Sequence, residues 1–275
     1  YEDILKLPSV TVARMLECAG NGRIFFEERQ GREAPGTPWR LGAVGVAEWT
    51  GVPLREVLLR AGLKKSAREV MPESLDAVRM RRPLPIEKAL EEDVILAYAM
   101  NGEPLPADHG FPVRVIVPRW AAVASVKWVG RIHVAEERLF SPWNTDKYVM
   151  TGGSFGTVRE PVTAQVVKSA LELPWPASLP EKRCRISGRS WSMHGAISRV
   201  QYSIDGGPWR EARLIGPNIP GAWARWYFYW NAKPGRHEIR ARATDEAGYT
   251  QPEETTWNDL GYLYGGIVGH PINVY

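Results

Sequence analysis

Cysteine is almost missing from this chain: of 275 residues, only Cys18 and Cys184 carry a thiol. No CxxC pair or CxxCH motif occurs, which excludes a zinc-ribbon-type site and covalent c-type haem attachment. A disulfide between two cysteines so far apart has little support. Long apolar runs are missing too. The longest uncharged one, Val94 to Met100, spans about seven residues, against the roughly 20 of a membrane-crossing helix. The chain opens Tyr1-Glu2-Asp3 instead of on a basic and then apolar leader. A first residue other than Met implies that something was removed, so the missing leader does not fix the compartment; the globular composition predicts a soluble protein of periplasm or cytoplasm, with no membrane span. A dense basic stripe is also lacking. The 35 lysines and arginines barely outnumber 31 acids, a net charge of +4. That argues against a nucleic-acid partner and favours small anions or an acidic protein surface. There is no internal repeat and no low-complexity segment.

What is present is an ordinary globular composition with 12 tryptophans, many beside Gly or Pro, as suits aromatic plugs at loop-lined clefts and interfaces. The two halves read differently. Up to about residue 150, helix and strand signals mix. Pro53 to Gly62 reads as a short amphipathic helix, Asp93 to Met100 and Val113 to Val117 as buried strands. Between 126 and 134, Val126, Trp128, Gly130, Ile132 and Val134 alternate with Lys127, Val129, Arg131 and His133, which predicts a strand with one wetter face. From about residue 160 the pattern is nearly all β. Arg183–Ser190, Ser198–Ile204, Trp223–Trp230 and His237–Thr244 are strand-like, and Asp205-Gly206-Gly207 is a hairpin turn. Short strands at this spacing point to an immunoglobulin-like sandwich. The Gly-rich stretch Thr151 to Pro161 reads as the linker. Trp223, Arg225, Trp226 and Trp230 are candidates for an anion or dimer contact, although strand-core packing accounts for the tryptophans equally well.

The most informative segment is Leu16-Glu17-Cys18-Ala19-Gly20-Asn21-Gly22-Arg23. Val10, Val12 and Met15 lead in as a strand, and Ala19 to Gly22 must form a tight loop. Small residues let backbone approach a bulky bound group closely. A cysteine at the mouth of such a loop, near Arg23, is held as thiolate more easily than a free one, and a thiolate is a good ligand for soft or high-valent metals. Taken alone, a lone cysteine is as readily a small buried hydrophobe.

The specific words go further. Glu17-Cys18-Ala19-Gly20-Asn21-Gly22-Arg23 resembles the molybdenum-ligand segment of the sulfite oxidase family, where this cysteine binds molybdenum held by a pterin dithiolene. Asn101 to Pro106, then His109-Gly110-Phe111-Pro112-Val113-Arg114, resemble its pterin-contacting stretch, and Ser125-Val126-Lys127-Trp128 the next one. Trp143 followed by Tyr148 resembles the place of the family's active-site tyrosine, and Glu73-Ser74-Leu75-Asp76 that of an acidic pterin contact. Tyr202 to Gly207 is similar to part of the family's dimerisation domain.

The resemblance implies an α+β molybdopterin-binding domain at 1–155, N-terminally incomplete against the family, and an all-β immunoglobulin-like dimerisation sandwich at 160–275. It implies a molybdenum–molybdopterin cofactor, with no haem in this chain. Cys18 would be the metal ligand, and Asp76, His109, Arg114, Ser125, Val126 and Lys127 the cofactor contacts. Tyr148 and Arg23 would be catalytic. Read in isolation, these are a core or interface tyrosine, surface arginines, a His-Gly turn, a solvated lysine and a loop-capping aspartate. The family's arginine pair after the cysteine loop appears as Gly22-Arg23, and Arg119 follows Pro118 where many relatives carry glycine. The implied reaction is oxidation of sulfite, or a similar small oxyanion, by oxygen-atom transfer, with electrons passed to a separate acceptor such as a c-type cytochrome. A homodimer is implied. Nitrate or sulfoxide reduction on the same scaffold, or a non-catalytic binding module, are the alternatives.

Overall fold

The computed structural model describes residues 1–275, and both halves are built mainly of strands. In the first half, strand Val10–Glu17 pairs antiparallel with Val44–Pro53, which pairs with Ile95–Met100 and through it with Arg114–Ile116. Leu84–Pro85, Glu69–Ser74 and Val129–Ala135 form a second sheet in that order. Helix Leu54–Arg60 starts directly on Pro53 and gives way by Gly62, which takes φ 83°. Leu54 and Leu58, one turn apart, bury against Val70, Val94, Leu96, Val115 and Val117.

The strand expected over 126–134 is shorter than its alternation predicts. Trp128 sits at φ 51° and pairing starts only at Val129. The register breaks where Glu73 faces Arg131 but Ser74 faces Val129, so Gly130 is a bulge residue. Val129 and Ile132 therefore pack on the core, not a simple i, i+2 set. Lys127 consequently belongs to the turn that enters the strand and not to the strand's polar face.

The second half is a β domain of two sheets. One runs Lys168–Leu171, Arg183–Trp191, Trp223–Asn231, Arg213–Ile215; the other runs Ala177–Leu179, Gly269–Val274, Gly235–Asp245, Ile197–Ile204, Arg210–Glu211. Their inner faces share one core that includes Ile186, Val200, Tyr202, Trp226, Phe228 and Ile239. Along Trp223–Asn231, Ala224, Trp226 and Phe228 point inward while Arg225 and Tyr229 meet solvent. Trp226 is thus a core residue and no interface candidate: it is fully buried and its Nε1 donates to Ser190 Oγ at 2.8 Å.

Segment 151–161, expected as an open linker, is spanned by a short hairpin in which Val149–Met150 pairs with Glu160–Pro161 around a 3-10 turn at Gly153–Phe155. The chain then folds back on its first half. Ala121 N donates to Thr163 O at 2.7 Å, and Leu263 N donates to Ala19 O at 2.9 Å. Ala19, Ala121, Val123 and Val162 form a small apolar cluster there, with Trp143, Tyr148, Tyr262 and Leu263 packed on it. No helix is long and apolar enough to cross a membrane.

Candidate functional site

The Cys18 loop sits on this seam. Strand Val10–Glu17 stops at Glu17, and the next residues are held by backbone bonds. Cys18 N donates to Ala43 O, and Asn21 N turns back to Cys18 O, both at 2.9 Å. Gly22 takes φ 93°, with the Tyr264 side chain 3.1 Å from where a Cβ would stand, so both backbone and packing disfavour a larger residue. Gly20 is small for another reason: a Cβ there would fall 2.6 Å from Arg23 Nη2. The space expected to admit a bound group is, at Gly20, occupied by the arginine itself. Cys18 is a free, half-buried thiol.

That thiol opens on a cavity of about 440 Å³, whose wall also includes Asp76, His109, Arg114, Ser125, Lys127 and Tyr148. Six residues that the sequence marks individually are thereby brought together with Cys18. Arg114 is buried, donating from Nη1 to His109 O at 2.8 Å and from Nη2 to Ser125 O at 3.0 Å, above the Trp49 ring. Its Nε has no protein partner. Burial without a counter-charge pulls its pKa down to about 10. Ser125 is fixed as well, its Oγ accepting from Val117 N at 3.0 Å. Lys127 Nζ donates to Asp108 O at 2.7 Å. Desolvation and then the Arg114 charge hold its pKa below the usual lysine range. His109 Nδ1 lies 2.9 Å from Asp108 Oδ1. Gly110, at φ 114°, lets this loop close over the turn; a Cβ would press on Arg114 and Lys127 Cβ at 3.1 and 3.2 Å. Asp76 Oδ1 accepts from Met80 N at 3.2 Å, so this residue caps its own loop and also stands on the cavity wall.

Tyr148, at φ 51°, stacks on Tyr262 with centroids 5.4 Å apart and planes 8° from parallel. Desolvation first, then Tyr262 and Cys18, push its pKa above the ordinary tyrosine value, so its hydroxyl stays protonated through neutral pH. Two expected residues do not line the cavity. Val126 is buried, its N–H donating to Ala124 O and its carbonyl accepting from Val115 N. Arg23 lies behind the wall, donating to Leu260 O at 3.2 Å and Thr37 O at 3.0 Å, with its guanidinium 5.2 Å from the Tyr262 ring centroid. Arg119 is away from the site, paired with Glu91 and, at 3.3 Å, Asp93.

Sequence reasoning missed Arg82, Tyr262 and Glu17. Arg82 is buried and donates to Trp143 O and, at 2.6 Å, Val162 O; desolvation pulls its pKa down to about 10. It tethers both sides of the segment that carries Tyr148. Nothing in the run Arg79-Met80-Arg81-Arg82 distinguishes the buried arginine from exposed Arg79 or half-buried Arg81. A second cavity of about 440 Å³ lies beyond Tyr262, but no lysine or arginine lines it, so it lacks the charge to hold an anion.

Known proteins share this chain's sequence pattern and fold. The family model described as oxidoreductase molybdopterin binding domain matches residues 1–143, and that of the Mo-co oxidoreductase dimerisation domain matches 158–265. Mitochondrial sulfite oxidase of Homo sapiens is 35% identical over 301 residues, covering 100% of this chain and 54% of the relative. A nitrate reductase of Hordeum vulgare is 32% identical over 288 residues, 90% of this chain and 32% of its own length. The chain thus spans about half the length, or less, of these curated relatives. The crystal structure of the sulfane dehydrogenase SoxCD from Paracoccus pantotrophus superposes with a TM-score of 0.89 at 32% identity, covering 100% of this chain and 73% of that one. Likeness of this extent, through both halves and at this identity, is descent: the chain belongs to the sulfite oxidase family of molybdopterin-binding oxidoreductases.

Proposed function

We propose that the protein oxidises sulfite to sulfate by molybdenum-dependent oxygen-atom transfer. Electrons pass to a separate acceptor such as a c-type cytochrome, and two copies associate through an immunoglobulin-like second domain. The observation that carries this reading is that the Cys18 thiol and Tyr148 share one cavity with the donors His109, Arg114 and Lys127. The residues fit the cofactor. Arg114 keeps a buried Nε without a protein partner, Lys127 adds a second cation, and the Asp76 carboxylate can accept from ring N–H groups. When bound, the cofactor supplies two-electron redox chemistry at molybdenum, with Cys18 as its protein thiolate.

The chain's own residues do the rest. Arg114, fixed by two carbonyls, and Lys127 neutralise an anionic pterin tail without having to reorganise. Ser125 supports Arg114 through its carbonyl. Tyr148 offers a protonated hydroxyl to an anionic substrate oxygen beside Cys18. Arg23 acts from behind Tyr262, lending positive charge to the substrate end.

Tyr148→Phe should keep the stack on Tyr262 and lose only the hydroxyl. A hydrogen bond to a charged group is worth about 1.5–3 kcal/mol, so kcat/KM for sulfite should fall about 10- to 100-fold with little change in melting temperature. Steady-state kinetics on the holoenzyme check this. Lys127 gives a pH dependence. Its ammonium is the form that grips an anion and its pKa is lowered, so cofactor retention should weaken as pH rises, at lower pH than an ordinary lysine would give. Lys127→Arg should move that loss upward, as seen in molybdenum retained after dialysis across alkaline pH.

A second reading, oxidation of sulfane sulfur, rests on one observation: Arg23 and Arg82, the arginines whose charge acts on Tyr148, each donate to two backbone carbonyls, which suits a less charged substrate. Molybdenum analysis and acceptor reduction with sulfite or an organic persulfide, beside nitrate-dependent donor oxidation, separate the readings. About one molybdenum per chain and sulfite-driven cytochrome reduction are expected. A full-length protein without molybdenum defeats the proposal.

A further inference from the structure

Glu17, the residue before Cys18, is completely buried where the two halves meet. An unpaired carboxylate there would be very costly, but this one has three donors. Lys168 Nζ donates to its Oε1 at 2.6 Å and Asn21 Nδ2 to the same oxygen at 2.8 Å, while Trp191 Nε1 donates to Oε2 at 3.0 Å. Lys168 also donates to Asn21 O at 2.9 Å, and Gln165 Nε2 donates to Glu17 O at 3.0 Å. Asn21 Oδ1 completes the set by accepting from Ala43 N at 2.9 Å. Each of these bonds ends on the five residues Glu17–Asn21 that carry Cys18, or joins them to one another.

Lys168, Gln165 and Trp191 all come from the second half of the chain. Lys168 and Trp191 are register partners on neighbouring strands, so the sheet itself sets the spacing of these two donors. Both are essentially without solvent exposure. An exposed ion pair can open without consequence. This one cannot open without moving the loop that ends in the thiol.

We infer that the second domain positions Cys18: the Lys168–Glu17–Trp191 bridge fixes the ligand loop and so the direction of the thiolate toward molybdenum. The inference rests on the proposed reading of Cys18 as metal ligand. These are positioning residues, and partners of this kind are worth about 10- to 100-fold in metal affinity or activity.

The test uses holoenzyme and three variants, read by molybdenum per chain, melting temperature and the electron paramagnetic resonance spectrum of the one-electron-reduced metal. Trp191→Phe deletes a single donor. It should fold, shift the spectrum and lower cofactor retention about 10-fold. Lys168→Met leaves the buried carboxylate without its counter-charge and should lose more. Glu17→Gln with Lys168→Gln removes both charges but turns one accepting oxygen into a donor, so it should retain more molybdenum than Lys168→Met and less than wild type. A variant that melts lower yet keeps the wild-type spectrum and molybdenum content overturns the inference, because the bridge would then only hold the domains together. If Lys168→Met does not fold, the other two decide by the same criterion. Wild type without molybdenum overturns the parent reading and this one with it; loaded wild type with spectrally silent variants overturns this one alone.

Discussion

Cys18→Ser should yield a folded protein whose turnover has fallen by more than about 1,000-fold, the scale of removing a group that acts directly at the reacting atoms. Both halves of that result follow from what the residue does. Its backbone holds the loop, through Cys18 N on Ala43 O and Asn21 N on Cys18 O, and serine leaves those bonds intact. The thiol itself is half-buried and supports no protein group, so the melting temperature should stay close to wild type. The metal, by contrast, loses a soft donor and is offered a hard one. Sulfite-dependent cytochrome reduction, thermal unfolding and molybdenum content are measured on the same preparation. Cys184→Ala is the control, since that thiol lies in the core of the second domain and should cost stability but not turnover. If Cys18→Ser kept even a tenth of the activity, the cysteine would not be the metal's ligand.

The parts of the site that were legible in the sequence are those that local words specify. The Cys18 loop, the His109–Arg114 turn and the Ser125–Lys127 segment each need particular residues within a few positions, and Asp76, His109, Arg114, Ser125, Lys127 and Tyr148 do line one cavity with Cys18. Strands with strict alternation, such as Trp223–Asn231, were legible for the same reason. What was not legible depends on partners far along the chain. The bulge at Gly130 is set by the register of Glu69–Ser74, so the alternation from Val126 gave no sign of it. Glu17 reads as half of a family word, yet its partners Lys168 and Trp191 stand 151 and 174 residues away. Val126 and Arg23 sit inside legible motifs, but which side chain of a motif faces the cavity is decided by packing: Val126 turns to the core and Arg23 lies against Tyr262.

Arg114→Met should separate stability from cofactor binding, because in Arg114 the two pull in opposite directions. The guanidinium is buried with no carboxylate among its hydrogen-bond partners, and that burial pulls its pKa down to about 10. A depression of this size corresponds to roughly 3 kcal/mol against the charged form, which methionine relieves. In exchange, His109 O and Ser125 O lose their donor, at about 1–3 kcal/mol for each carbonyl left dry. These terms largely offset, so the cofactor-free variant should unfold within about 3 kcal/mol of wild type in denaturant. Cofactor retention has no such compensation. Losing one partner of a buried, hydrogen-bonded charge pair costs about 2–5 kcal/mol, so molybdenum held per chain should fall roughly 30-fold or more. Arg114→Lys should not restore it, since a point charge cannot reach both carbonyls and still offer a free N–H to the cavity. Denaturant unfolding of apoprotein and metal analysis of holoprotein give the two numbers. A variant that kept its molybdenum would show that Arg114 braces the His109 turn and nothing more.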